Sequence, residues 1–272
     1  MPSFPTERAR LKVRNPAGDV HVETRDVAET TVELVPLNES EATRQAIEKA
    51  NVGARGDEVF VELEGRSWSI SIGNWGVGSA KVSVRIVCPE RSDLECDTAS
   101  ADVRVIGTLG DARLRTASGD FEVDRVEGAL EAKTASGDVR VEHVGGRANL
   151  HTVSGDVDVR AVMSGLAANS VSGDVVLGEI LGDLTAGTVS GDLMVRAAGP
   201  GEVGLKAVSG DVVVAMRRGL RVRLDVSSVS GSVGSELDVS DAPARADGPE
   251  ANLRVRTVSG DVRITRAAEA VA

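Results

Sequence analysis

Aspartates recur in this sequence at a spacing that could do chemistry. Asp102, Asp120, Asp138, Asp156, Asp174 and Asp192 follow one another every 18 residues, and Asp211 and Asp261 continue the row at longer intervals. Each ends a variant of the stretch Thr-Val-Ser-Gly-Asp, which stands in full at Thr152 to Asp156 and has alanine for the glycine before Asp102. A row of carboxylate oxygens suits a hard cation such as calcium, which makes the six regularly spaced aspartates a candidate metal ladder. The serine two residues earlier would be a nucleophile if a base stood beside it. Neither chemistry is favoured. The nine-residue Gly-Gly-x-Gly-x-Asp pattern of calcium β-rolls is absent, and no base is placed near any of the serines. Carboxylates in register repel, by about 0.9 kcal/mol in water and about 3.5 kcal/mol at an effective dielectric of 20. A structural use must offset that. Serine and aspartate are expected to accept backbone N–H groups of their own or a neighbouring segment, with glycine supplying a positive φ. The expectation is no catalytic residue, no cofactor and no enzyme.

The residues around the motif explain what it positions. Near-copies begin at Thr98, Thr116, Thr134, Thr152, Ser170, Thr188, Ala207, Ser228 and Thr257, and their serines lie 18 residues apart over the first five intervals. A fixed short period held this long marks a solenoid whose units bury their apolar faces only against neighbours. Counted from the Thr, position 6 carries Val103, Phe121, Val139, Val157, Val175, Leu193 and Val212, and position 8 carries Val105, Val123, Val141, Val159, Leu177, Val195 and Val214. Period-two alternation predicts a strand with both columns inward. Position 2, exemplified by Val153, is assigned to the core with them. Glycines near positions 12 to 14 precede a second alternating segment, so each coil holds two short strands and two turns. Parallel stacking at about 4.8 Å per coil follows, because identical columns align only when one coil lies over the next. At position 7, Arg104, Glu122, Arg140 and Asp158 then place alternating signs above one another.

Composition narrows the function. Aromatics make up 2% of 272 residues, tyrosine is absent and the net charge is -11, so there is neither a stacking platform nor a basic face for nucleic acid. The start lacks a signal-peptide pattern, and no run of about 18 apolar residues occurs. A cytoplasmic chain without a direct membrane span is therefore expected, with association to a membrane through a partner as the alternative. In that reducing compartment Cys88 and Cys96 should be packed free thiols. His21, His143 and His151 fall in unrelated columns and read as surface residues.

Outside the regular repeats, residues 1–92 read as a β-rich N-terminal cap region and residues 93–272 as the repeat solenoid. Within the cap, residues 11–23 read as two strands around Asn15-Pro-Ala-Gly-Asp19, whose Ala-Gly-Asp-Val echoes the later motif. A helix is expected over 39–51, capped by Asn38 with Glu41, buried through Ala42, Ala46, Ile47 and Ala50, and ended by Gly53. Strands follow at 58–63, 68–72 and 81–87. Toward the other end the interval lengthens, residues 236–250 read as a surface loop, and Asp261 to Arg266 reads as a final strand whose arginines blunt an open edge. Position 7 turns apolar in consecutive coils at Val176, Met194 and Val213, a candidate contact stripe or a seat for that loop.

The Ser-Gly-Asp-Val units at 18-residue spacing, the Cys88 to Ser100 lead-in and the late lengthened coil together resemble the bacterial "putative adhesin" family, a β-strand repeat family of unknown function. The resemblance covers about residues 10–266. It implies an all-β parallel β-solenoid and supplies no catalytic residues. A non-enzymatic binding or scaffold module for an unknown protein or surface partner is the expectation, as a monomer or small homo-oligomer. A self-assembling bactofilin-like polymer is the alternative, and a carbohydrate-active β-helix enzyme comes third.

Overall fold

The computed structural model describes residues 1–63, 80–237 and 248–268. The strand expected at 68–72 and most of the loop expected at 236–250 lie outside the described residues. The chain forms two units, Met1–Gly137 and Asp138–Ala272. Each is built of parallel β-coils.

In the first unit, β1 (Ser3–Pro5), β2 (Arg10–Arg25) and β3 (Glu29–Pro36) precede the helix α1 (Glu41–Glu48). Then come β4 (Asn51–Arg55), β5 (Glu58–Glu62), β6 (Val82–Pro89), β7 (Asp93–Leu109), β8 (Ala112–Arg115), β9 (Phe121–Val126) and β10 (Leu130–Lys133). The echo noticed at Ala17 to Val20 is a true coil. β2 runs parallel to β7 with Ala17 opposite Ser100, Gly18 opposite Ala101 and Asp19 opposite Asp102. On its other side β2 pairs parallel with β5 and β6, which form a further coil. Antiparallel β3 and β4 then cover β6 and β5. The first coil in sequence is thus sandwiched, and a later segment supplies the end.

α1 is shorter than expected. Ser40, not Asn38, caps it, accepting the Thr43 amide at 3.1 Å, while Asn38 receives the Ser40 hydroxyl at 2.7 Å. Thr43 is its buried residue, and the alanines and Ile47 are only half-covered. The helix ends at Lys49, where the Lys49 amide donates to the Gln45 carbonyl and the Ala50 amide to the Ile47 carbonyl, so Gly53 belongs to β4. Cys88 and Cys96 are both buried free thiols. Desolvation raises the Cys88 pKa to about 11 and pushes Cys96 up further, so both are held as thiols.

The second unit comprises β11 (Val139–Val144), β12 (Ala148–His151), β13 (Val157–Val162), β14 (Leu166–Asn169), β15 (Val175–Ile180), β16 (Leu184–Ser190) and β17 (Leu193–Ala198). β18 (Gly201–Ser209), β19 (Val212–Met216), β20 (Arg221–Ser230), β21 (Val233–Ser235), β22 (Glu250–Ser259) and β23 (Val262–Arg266) complete it. Coils stack in sequence order up to β18 and β19. The order then changes. β22 lies between β18 and β20, and β23 lies between β19 and β21. The arginine-bearing last strand is therefore an interior strand, not the blunted edge its position in the sequence suggested. The outermost coil is β20 with β21.

Positions 6 and 8 fill the core as the alternation requires. Val157, Val175, Leu193 and Val212 are fully buried, as are Val159, Leu177 and Val214, and Phe121 is the largest side chain enclosed in the first unit. Position 2 does not join them. The period-two count that runs from Leu150 through Thr152 puts the threonine inside and Val153 outside, and Thr152 is fully buried while Val153 is 42% exposed. The corner reverses the parity that was carried across it.

Candidate functional site

The corner is where strands hand over between the two sides of each coil, and every coil repeats it in register. Glycine is demanded there by close approach more than by φ. At Gly137 and Gly173 a Cβ would stand 1.8 and 2.1 Å from the carbonyl oxygen of the glycine one coil away. Positive φ values, 151° at Gly191 and 152° at Gly210, occur in only some copies. The first residue of the motif closes the turn: Thr134 Oγ1 accepts the Gly137 amide at 2.9 Å, and the buried Ser170 hydroxyl donates to the Gly155 carbonyl at 3.2 Å. The hydroxyl that serves the corner is thus the buried one at position 1. The serines at position 3 point outward.

Each aspartate serves the coil stacked next to it. In the first unit Asp102 Oδ1 accepts the Asp120 amide at 3.0 Å. In the second, Asp138 accepts from Asp156 at 3.0 Å, Asp156 from Asp174 at 2.9 Å, Asp174 from Asp192 at 2.8 Å and Asp192 from Asp211 at 2.9 Å. The ladder follows the spatial order of the coils. Asp211 accepts from Asp261, and Asp261 accepts from Ser232, both at 2.8 Å. The Ser232 amide, and next its hydroxyl, hold the Asp261 carboxyl below the usual carboxylate range. Serine stands in the aspartate column at the outermost coil of each unit: Ser83 opposite Asp19 in the first and Ser232 in the second. Beyond Ser232 no described amide remains to be accepted.

A hydrogen bond of this kind needs an oxygen, not a charge. Asp174→Asn is expected to melt like the parent, because the amide oxygen can accept the Asp192 N–H. Asp174→Ala should cost about 1 kcal/mol. Thermal melts of the two variants check this, and an equal loss in both would show that charge, as in a cation ladder, matters at this row. Among the described residues no group of three or more His, Cys, Asp or Glu side chains is arranged to hold a metal ion.

Outward positions show how charge is handled between coils. Arg104 and Glu122 pair at 3.2 Å as their column suggested, but Arg140 turns to Asp138 at 2.9 Å instead of to Asp158. Such exposed pairs contribute little. His21 lies 3.2 Å from Asp19, and His151 is exposed.

Two apolar rows lie outside the second unit. Val176, Met194 and Val213 occupy successive register positions of β15, β17 and β19; Met194 is exposed and the valines half-buried. The longer row is the position 2 column, which period-two alternation across the corner puts in the core. Val153, Val171, Val189, Val208, Val258 and Val229 each stand at position 2 of their coil and are between 39% and 82% exposed. Register brings them side by side: Ser172 pairs with Ser190, Ser190 with Ser209, Ser209 with Ser259 and Ser259 with Ser230, so the preceding valines align as well, and the Ser172 amide donates to the Val153 carbonyl at 2.8 Å. Exposed serines flank the row along its length. In the first unit the same column holds Ala99, Ala117 and Ala135.

Stacked coils, glycine corners and an amide-accepting aspartate row define a parallel β-solenoid protein. The chain belongs to the Toastrack DUF4097 family, whose model matches residues 9–265. Among solved structures it is similar to a "putative adhesin" from Bacteroides fragilis NCTC 9343, at 13% identity over 97% of this chain and 95% of that one, with a TM-score of 0.49. It is also similar to a "putative lipid binding protein" from Parabacteroides distasonis ATCC 8503, at 10% identity over 97% of this chain and 96% of that one, with a TM-score of 0.46. No curated protein matches the chain.

Proposed function

We propose that this chain is a non-enzymatic binding module that engages a protein or surface partner through the valine row of its second unit. The observation that carries the reading is the register of Val153, Val171, Val189, Val208, Val258 and Val229 on the outside of consecutive coils. Single exposed valines are ordinary, but a row aligned coil over coil through six coils is an apolar strip, about 24 Å long at the strand spacing. Its backbone is fixed by the corner hydrogen bonds, so little conformational freedom is lost when a partner covers it. The serines beside it offer hydroxyl donors and acceptors at the rim. The candidate stripe of Val176, Met194 and Val213 lies on the same coils, separated from the row by the exposed serines and aspartates of the corner.

The triple substitution Val171→Ser, Val189→Ser and Val208→Ser tests this. These side chains are outside the core, so the melting temperature should stay within a few degrees of the parent. Capture of partners from native cells by the immobilised chain is expected to be lost. Undiminished capture by the variant would remove the row from the binding surface.

A further inference from the structure

The outermost coil of the second unit carries a second, independent surface. β20 pairs with β22 along one edge, and among the described residues nothing pairs with its other edge. Its inward residues are incompletely covered. Val222, Leu224 and Val226 are half-buried, whereas their partners one coil inward, Ala251, Leu253 and Val255, are at most 1% exposed. An open edge of this kind pairs with another strand unless something blocks it.

The sequence of β20 specifies which strand fits. Read outward and inward in turn, it runs Arg221, Val222, Arg223, Leu224, Asp225, Val226 and Ser227. Turned antiparallel upon itself about Leu224, it sets Val222 against Val226 of a second copy and Leu224 against Leu224. Arg223 then faces Asp225, and Asp225 faces Arg223. Inward residues meet inward residues and opposite charges meet, the favourable cross-strand arrangement. Asp225 is already turned outward, 3.0 Å from Arg254 of the adjacent coil, while Arg223 is exposed and makes no ion pair among the described residues.

We propose that β20 is a homodimerisation edge, on which two copies of this chain pair antiparallel about Leu224 and close each other's open coil. The contact is isologous and uses the same edge on both copies, so assembly stops at two. In the first unit the corresponding exposure is avoided, because antiparallel β3 and β4 cover the coil formed by β5 and β6.

Sedimentation of the full chain with charge variants tests the pairing. The parent is expected to sediment as a dimer at micromolar concentration. Arg223→Asp and Asp225→Arg each place like charges opposite one another, and each should weaken self-association at least tenfold with circular dichroism unchanged. Mixing the two variants restores complementarity at both positions and should return the dimer as a heterodimer. A monomeric parent at 100 micromolar would overturn the proposal. So would a dimer indifferent to both substitutions, or a failure of the mixture to re-associate while both variants remain folded.

Discussion

Removing residues 250–272 is expected to release more of the second unit than the strands it deletes. In a solenoid stacked in sequence order, loss of the last coil would leave the preceding coils paired. Here β22 and β23 are interior, each with a strand on both sides. Their Ala251, Leu253, Val255, Val262 and Ile264 are at most 2% exposed. At about 2 kcal/mol for each large apolar side chain, the deletion removes on the order of 10 kcal/mol of burial and every described ladder partner of β20 and β21. Hydrogen exchange should show residues 221–235 unprotected in the truncated chain, with protection retained over β11 to β16. Continued protection of 221–235 would mean that β20 can dock directly on β18. The coil order would then be a matter of preference and not of necessity.

The second large effect is expected at a corner glycine. Gly173→Val places a Cβ 2.1 Å from the Gly155 carbonyl oxygen and 2.7 Å from its carbon. Both are backbone atoms held by neighbouring coils, so neither can swing away. Opening the spacing instead would stretch the Asp174 amide bond to Asp156 at 2.9 Å and the Ser172 amide bond to Val153 at 2.8 Å. A cost of about 3 kcal/mol is expected, from overpacking together with weakened interfaces on both sides of the coil. Gly234→Val is the control. No atom lies within 4 Å of its Cβ position, and its melting temperature should match the parent's. If both variants melt alike, the corner glycine is a turn residue and not a stacking requirement.

The contrast between these two sites separates local from collective information. At Gly173 the sequence announces a glycine in every regular copy, and the usual explanation, a positive φ, applies to Gly191 and Gly210 but not to Gly173. The demand arises from a carbonyl 18 residues away in sequence and one coil away in space. The same holds for Asp174. Its amide acceptance by Asp156 was among the local and inter-coil uses that sequence allowed, and stacking selects the inter-coil one. Alternation counted across the corner from Val157 puts the valine row inside, where the structure does not have it. Counted from the other strand, through Leu150 and the buried Thr152, the same rule places Val153 outside. The signal was present, but the bend at Gly155 resets the parity.

By itself the sequence determined the coil: its 18-residue period, its parallel stacking and its inward columns. These follow from alternation and repetition, which act between residues close in the chain or one period apart. Only the tertiary structure decided the order of the outer coils. Repeats with equivalent columns can stack on one another in any order, so pattern alone cannot rank β20 against β22 or β2 against β5. Chain connection and the aspartate column rank them, because an aspartate is useful only where another coil presents an amide. Ser232 stands where no described coil follows to present one.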